Sequence, residues 1–545
     1  MLAVAVEEWN LHRRMAIGVL RIVGTDPKFV MLGLMLPTWF MSMWISNTAA
    51  ASMMIPIANA VVVQICQVKI DSEDSKPTAG SFKKPNERFK RPSESSNKPN
   101  ESLQSPTVRE PRDCIQVLLD PSKLVATSIN SSIGDGRRER SFMTDSRSIG
   151  VPFYIIDDHA SLPLTPTIDT TDEYMAREFK RLSCGISLCI AYSCNIGGIS
   201  TLIGTVPNLV FKGTADDLFN QRYKKLGLEE EGSGVTFANW MGLALPLSFC
   251  ILALAWLLLF LLFLRGNAFG KISATQKESV KKVIEEEWDA LGPISLAEME
   301  VAGLFCVLAV LWISRDPKQT PGWSTWFIKG YVSDSTTVML IVMLLFLLPA
   351  NVPRVFCLRK AEHSNEPFYR PLLTWERIDK KVPWGVIILL GGGFALANGC
   401  KVSGLSEWLG HKMSSLSSLK PWALNLILTF IVAMATEVTS NTATSTLLMP
   451  IMSHIALTTK VNPLYLMASA AIATSFAFML PVATPPNAIV FAYGDLRVLD
   501  MAYAGFFMNL ISVLCLALAV NTWGDALYDF YTLPNIFMNE TRSAT

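Results

Sequence analysis

SMWISNTAAASMMIPI at residues 42–57 and TEVTSNTATSTLLMPI at residues 436–451 are the stretches on which the fold of this chain turns. Each is an apolar run long enough to belong in a membrane, yet each carries Ser-Asn-Thr near its middle. Laid on each other, they open a longer match. Residues 1–57 fall on 395–451 without a gap, pairing Leu2 with Leu396, Leu11 with Leu405, Pro27 with Pro421 and Pro56 with Pro450. Self-similarity at a fixed offset marks one structural unit used twice.

Working outward, a second echo appears. GTVPNLVF (204–211) parallels ATPPNAIVF (483–491), so that Thr205, Pro207 and Asn208 fall on Thr484, Pro486 and Asn487. Each half therefore supplies one Ser-Asn-Thr hairpin (28–66 and 421–459) and one apolar helix broken at T-x-P-N (184–211 and 463–492). An unsatisfied backbone group in lipid costs several kcal/mol, so polar breaks survive only where they are buried or line a cavity. Duplicated discontinuous helices that meet near the bilayer midplane are the architecture of secondary transporters. The runs at 237–264, 299–314, 334–350 and 501–521 read as ordinary membrane helices.

Composition agrees. Half of the 545 residues are hydrophobic and only 17% are charged, against about a quarter in soluble domains. A net charge of +1 gives no footing for nucleic acid. The ten cysteines form no CxxC pair and the five histidines no cluster, which excludes a zinc site. GxSxG, Walker A and Rossmann patterns are absent, so enzymatic activity has no supporting residues. Residues 71–113 are rich in Ser, Pro, Lys and Glu, a composition expected to be disordered. The repeats are offset by 394 residues. The counterpart of the span starting at 299 would lie roughly 95 residues ahead of Met1, so the chain is expected to begin part-way through its first half.

The two Ser-Asn-Thr motifs, the TPPN turn and GGGFALANG (391–399) together resemble the divalent anion/sodium symporter family, most of all the animal sodium-dependent dicarboxylate and citrate carriers. The resemblance runs from residue 1 to about 525, apart from the loop near 70–175. It implies an all-α multi-pass membrane protein, a homodimer with two re-entrant hairpins that works by an elevator motion. It also implies a transport domain of 1–66, 184–211 and 383–492, a scaffold of 237–350 and 501–521, a cytoplasmic loop at 67–183 and an extracellular tail at 522–545. Residue by residue, it implies one sodium site using Ser42, Ser46, Asn47 and the turn at Gly204. A second would use Thr436, Thr439, Asn441 and the turn at Ala483. The dicarboxylate or tricarboxylate would meet Asn47, Thr48, Asn441 and Thr442, with Thr484 and Pro485 closing the pocket. One departure is that Val206 precedes Pro207 in the first turn, where the family usually has a small residue.

The chemistry is consistent with that assignment. Sodium is a hard cation that takes carbonyl and hydroxyl oxygens, and unwound turns expose carbonyls without helical partners. Helix N-termini beginning after each Ser-Asn-Thr favour a carboxylate. No Lys or Arg lies near either motif, so a dianion must be neutralised by co-bound sodium, and coupling follows. Glu437, two residues ahead of Thr439, is an intramembrane carboxylate and so a functional candidate; an anchor for hairpin amides is the favoured reading. The stretch 403–416 has apolar residues at helical spacing, an interfacial helix whose repeat partner is 9–22.

Arg and Lys are concentrated in the short loop 351–382, which places that loop, 67–183 and 265–298 on the cytoplasmic side of the plasma membrane. The C-terminus is then outside and Asn539 an accessible glycosylation acceptor. Glycosylation mapping should find Asn539 modified and Asn130 bare; the reverse overturns this orientation. Succinate-like dicarboxylates with sodium are the leading expectation, citrate included. Sulfate symport, sodium-independent dicarboxylate exchange and a non-transporting receptor or regulatory role are the alternatives.

Overall fold

The structure is a computed structural model. It describes residues 1–23, 27–74, 170–229, 232–264, 274–315, 321–328, 331–351, 370–381 and 419–538 without 494–495, with isolated positions between 384 and 408. Asn539, the sequons at 100 and 130, residues 75–169 and most of 403–416 lie outside the described residues. Met1–Lys69 with Tyr174–Thr545 form one compact unit. Among the described residues there is no β-strand, only an isolated bridge between Pro349 and Pro371.

The first half opens with α1 (Leu2–Glu8), α2 (Leu11–Val23), α3 (Pro27–Ser42) and α4 (Asn47–Asp74), followed by α5 (Thr170–Ile199) and α6 (Val206–Lys225). Next come α7 (Phe237–Leu259) with a π-helical turn at Phe260–Leu264, α8 (Ala274–Ala290), α9 (Leu296–Arg315), α10 (Asp334–Leu347) and α11 (Trp375–Lys381). The second half supplies α12 (Pro421–Thr436), α13 (Asn441–Thr458), α14 (Pro463–Ala473) and α15 (Pro485–Tyr493). It closes with α16 (Val498–Val520), α17 (Trp523–Tyr528) and α18 (Asn535–Met538).

Both Ser-Asn-Thr segments are helix–turn–helix units. α3 and α12 start on the paired Pro27 and Pro421, where a missing N–H costs nothing. Each has 16 residues, about 24 Å at 1.5 Å per residue and short of a ~30 Å hydrocarbon core. The helices after each motif keep Pro56 and Pro450 inside them. A proline is tolerated at membrane depth when neighbouring helices satisfy the freed carbonyl.

The broken helices occupy the centre. Residues 182–199 of α5 are buried throughout, and so is every residue of α14, as expected for helices apolar on all faces. α14 packs against α12, α13 and α6, and α6 also packs against α13, which ties the two halves together. Phe237–Leu264, Leu296–Arg315 and Val498–Val520 are also long and apolar enough to cross a membrane.

Two boundaries differ from the sequence reading. The helix after the first motif continues past residue 66 to Asp74, and α5 begins at Thr170, ahead of 184. No glycine or proline interrupts 58–74, so nothing in the chain stops the helix at 66. Within the segment after the last span, residues 522–538 are docked on the fold: Phe530 is fully buried and Tyr528 and Phe537 nearly so. Five aromatics between Trp523 and Phe537 carry enough apolar area to dock this segment. α16 packs against α12, α14 and α7.

α1 and α2 are clamped to the other side of the fold. Glu7 pairs with Lys381 at 2.9 Å, Glu8 with Arg377 and Arg13 with Glu287. Arg14 and Glu298, both nearly buried, pair at 3.3 Å, and Arg14 donates to the Gly292 carbonyl at 3.1 Å. Trp9 donates to the Leu372 carbonyl at 2.9 Å.

Candidate functional site

Three oxygen atoms converge at the end of α3. The buried Ser42 Oγ lies 2.6 Å from Asn47 Oδ1 and 2.7 Å from the Cys194 carbonyl oxygen. A hydroxyl has a single proton to donate, so it satisfies one acceptor and leaves the other facing an oxygen. The second half repeats the arrangement. Thr436 Oγ1 lies 2.8 Å from Asn441 Oδ1 and 2.8 Å from the Thr474 carbonyl oxygen. Each cluster has three oxygens and one proton among them, an electron-rich centre that a hard cation would complete.

The sequence predicted Ser42 with Asn47 and Thr436 with Asn441, and the fold brings each pair together. It did not point to Cys194 or Thr474, because a backbone carbonyl carries no sequence signal. The other expected ligands have varied surroundings. Ser46 caps α4, its Oγ accepting from Ala49 N at 3.2 Å, in a position that helix starts commonly give to serine. Thr439 Oγ1 lies 2.8 Å from the Ala435 carbonyl and 2.7 Å from Thr444 Oγ1. Gly204 and Asn47 share Gly198 as a neighbour. A Cβ on Gly204 would sit 2.5 Å from the Gly198 carbonyl oxygen, and one on Gly198 would sit 2.9 Å from Asn47 Oδ1. Both contacts are closer than any side chain allows, so glycine is required where the first turn meets the first hairpin. Ala483 N donates to the Leu480 carbonyl at 3.2 Å in the opposite turn.

The asparagine of each T-x-P-N turn spans its break. Asn208 Nδ2 donates to the carbonyls of Gly198 at 3.2 Å and Thr201 at 2.8 Å. Asn487 Nδ2 donates to those of Ala477 at 2.9 Å and Leu480 at 3.0 Å. The acceptors correspond across the repeat. Each asparagine satisfies carbonyls that the interrupted helix leaves open, which explains why the turn needs this residue.

Thr48 and Pro485 are exposed, Asn47, Asn441 and Thr442 half-buried, and Thr484 buried. Among the described residues the hydroxyls of Thr48 and Thr442 have no hydrogen-bond partner, which leaves them open to an incoming oxyanion. Thr484 Oγ1 instead accepts from Asn487 N at 3.4 Å. Among the described residues no group of three His, Cys, Asp or Glu is placed to hold a metal.

Glu437 is an anchor, as the sequence favoured, but for amides of the broken helix at 478–480 rather than of its own hairpin. Its Oε1 accepts from Phe478 N at 2.8 Å, Met479 N at 3.0 Å and Asn509 Nδ2 at 2.7 Å. Its Oε2 accepts from Met479 N at 3.1 Å and Leu480 N at 3.2 Å. Both oxygens are occupied by N–H donors, so the carboxylate holds the unwound stretch after α14 in shape and pins it to α16. The corresponding first-half position is Met43. There the backbone does the work, its carbonyl accepting from Thr201 Oγ1 at 2.6 Å.

Inward-facing oxygen clusters at paired helix breaks, set in a bundle of membrane-length helices, define a membrane transporter. Residues 1–530 match the family described as the sodium:sulfate symporter transmembrane region. The chain belongs to this family, and its members are transporters rather than enzymes. It is 37% identical to the rat Na(+)/citrate cotransporter, over 98% of this chain and 82% of that protein. With human solute carrier family 13 member 2 the identity is 38%, over 99% and 81%. Human Na(+)/dicarboxylate cotransporter 3 is 36% identical, over 98% and 80%. Sodium is the coupled ion named for the family and for two of these relatives.

Proposed function

We propose that this protein is a sodium-coupled symporter that carries succinate-like dicarboxylates and citrate across the plasma membrane. The observation that carries the reading is the duplicated cluster of three oxygens sharing one proton, around Ser42 and around Thr436. In this reading a sodium ion completes each cluster. The substrate carboxylates then meet Asn47, Thr48, Asn441 and Thr442, with Thr484 and Pro485 behind them. With no Lys or Arg near either motif, the bound sodium ions supply the positive charge that a dianion needs. Anion affinity therefore depends on sodium, and by reciprocity sodium affinity depends on the anion.

The experiment is uptake of radiolabelled succinate, citrate and sulfate into cells expressing the full chain, with sodium replaced by choline in a parallel arm. Succinate or citrate uptake that collapses in choline is the expected result. Uptake indifferent to sodium would reject symport in favour of exchange, and uptake of sulfate alone would reassign the substrate. No uptake of any of the three would favour a receptor role. Intact Thr48 and Thr442 support carboxylates.

The same reading includes a homodimer, cytoplasmic placement of 67–183 and an elevator motion. The hairpins and broken helices move with α7 and α16, to which they are packed and bonded. α1 is tied to α11, and α2 to α8 and α9, by ion pairs, while α2 also packs on α3 of the first hairpin. Gly18 of α2 lies against Trp288 of α8. Gly18→Cys and Trp288→Cys joined by a short bifunctional thiol reagent, long enough to span the space the indole fills, should leave uptake intact; loss of uptake on crosslinking would place these helices on different bodies.

A further inference from the structure

Asn195 is buried in α5, in the first half, yet its side chain bonds to the second. Its Nδ2 lies 3.0 Å from the Ala477 carbonyl, 3.4 Å from Thr484 Oγ1 and 3.4 Å from Asn487 Oδ1. These three acceptors belong to the break that carries Ala483, Thr484 and Pro485. The peptide carbonyl just before Asn195 is that of Cys194, the third oxygen of the first cluster. One dipeptide, Cys194–Asn195, therefore touches the first oxygen cluster with its backbone and the second turn with its side chain.

The repeat makes the link one-sided. In the register of the T-x-P-N turns Asn195 falls on Thr474, whose hydroxyl donates to the Ala471 carbonyl at 2.7 Å and, among the described residues, to nothing in the first half. In the other direction, Ser445 Oγ of α13 reaches the Pro207 carbonyl at 3.4 Å, and its repeat counterpart Ala51 has nothing to donate. Ser445 touches neither Ser42 nor the Cys194 carbonyl, so it does not join the two clusters.

We propose that Asn195 is a positioning residue that couples the two cation clusters across the repeat. The inference rests on the sodium-symport reading above. When a cation takes Asn47 Oδ1, Ser42 has the Cys194 carbonyl as its remaining acceptor, and its proton settles there. That fixes the 194–195 peptide and with it the amide that holds Ala477, Thr484 and Asn487. A second cation then meets a turn that is already ordered, which gives positive cooperativity. The chain of contacts is short and continuous.

The measurement is sodium activation of succinate uptake at fixed succinate, in the full chain, together with surface labelling. Wild type is expected to respond sigmoidally. Asn195→Ala should bring the Hill coefficient to about one, as for independent sites, and raise the sodium concentration for half-activation. The rate at saturating sodium should stay within about twofold, since the oxygen ligands are intact. Asn195→Thr, the residue found at the symmetry-related position, should behave the same way and serves if the alanine variant does not reach the surface. Ser469→Ala removes a buried bond of the same kind, from Asn425 Nδ2 at 3.0 Å, with no connection to either cluster. It should keep the wild-type Hill coefficient, which separates coupling from a general loss of packing. A sigmoidal wild type with an unchanged Hill coefficient in both Asn195 variants overturns the proposal and leaves symport standing, as does a hyperbolic wild type. Sodium-independent uptake in wild type overturns the reading beneath it as well.

Discussion

Asn47→Ala and Asn441→Ala are each expected to abolish sodium-dependent uptake while the protein still reaches the cell surface. Both halves of that outcome follow from the same geometry. Ser42 Oγ has two acceptors within 2.7 Å, and removing Asn47 Oδ1 leaves it the Cys194 carbonyl. Thr436 likewise keeps the Thr474 carbonyl when Asn441 is truncated. No buried hydroxyl is orphaned, so the destabilisation is that of a half-buried side chain, about 1 kcal/mol. The cation, in contrast, loses one of the few oxygens present. A bond to a charged group contributes about 1.5–3 kcal/mol, or roughly a 10–100-fold loss of affinity, and in a coupled carrier both sites must fill. Uptake assays paired with surface biotinylation check this. Normal uptake by either variant rejects the site, and absence from the surface would show that the asparagine holds the hairpin rather than an ion.

The second large effect concerns Glu437, and here the expected failure is one of folding. A glutamine offers one oxygen and one NH2 group in place of two acceptor oxygens. In the orientation that keeps Oε1, Leu480 N loses its partner and the new NH2 points at backbone N–H groups. In the other orientation Phe478 N and Asn509 Nδ2 are stranded. Each orphaned buried donor costs about 1–3 kcal/mol, a large share of a typical stability of about 5–15 kcal/mol. Glu437→Gln should therefore unfold at a visibly lower temperature in detergent and reach the surface poorly. Glu437→Ala, which removes every acceptor, should be worse. A Gln variant with unchanged melting but weakened sodium activation would make Glu437 a cation ligand instead. The ordinary result for a surface carboxylate, no change in either, would contradict the hydrogen bonds that surround it.

Much of this was legible in the chain. The offset between the Ser-Asn-Thr motifs and the echo of T-x-P-N located both hairpins and both breaks, since a polar interruption of a membrane helix is conspicuous against lipid-like surroundings. Pairs five residues apart, Ser42 with Asn47 and Thr436 with Asn441, were also within reach, because one tight turn joins them. Asn195 was not. It stands among the serines of a largely apolar helix, its repeat counterpart Thr474 is a different residue, and only its depth in the membrane could have drawn notice. The docking of the C-terminal segment was not legible either. A run of aromatics after the last span reads the same whether or not a surface receives it.

By itself, then, the sequence determined that this is a duplicated helical membrane protein, where its helices break, and which side chains stand at the breaks. Periodicity, hydropathy and repetition are local properties, and the cost of an unpaired backbone group in lipid makes them binding. Tertiary structure alone decided that the Cys194 and Thr474 carbonyls complete the oxygen clusters, that Glu437 serves amides some forty residues away, and that Asn195 crosses between halves. Those are contacts between distant segments, and they involve backbone atoms that every residue carries alike. Only the packing of α5 and α14 side by side with the hairpins selects which of those atoms meet.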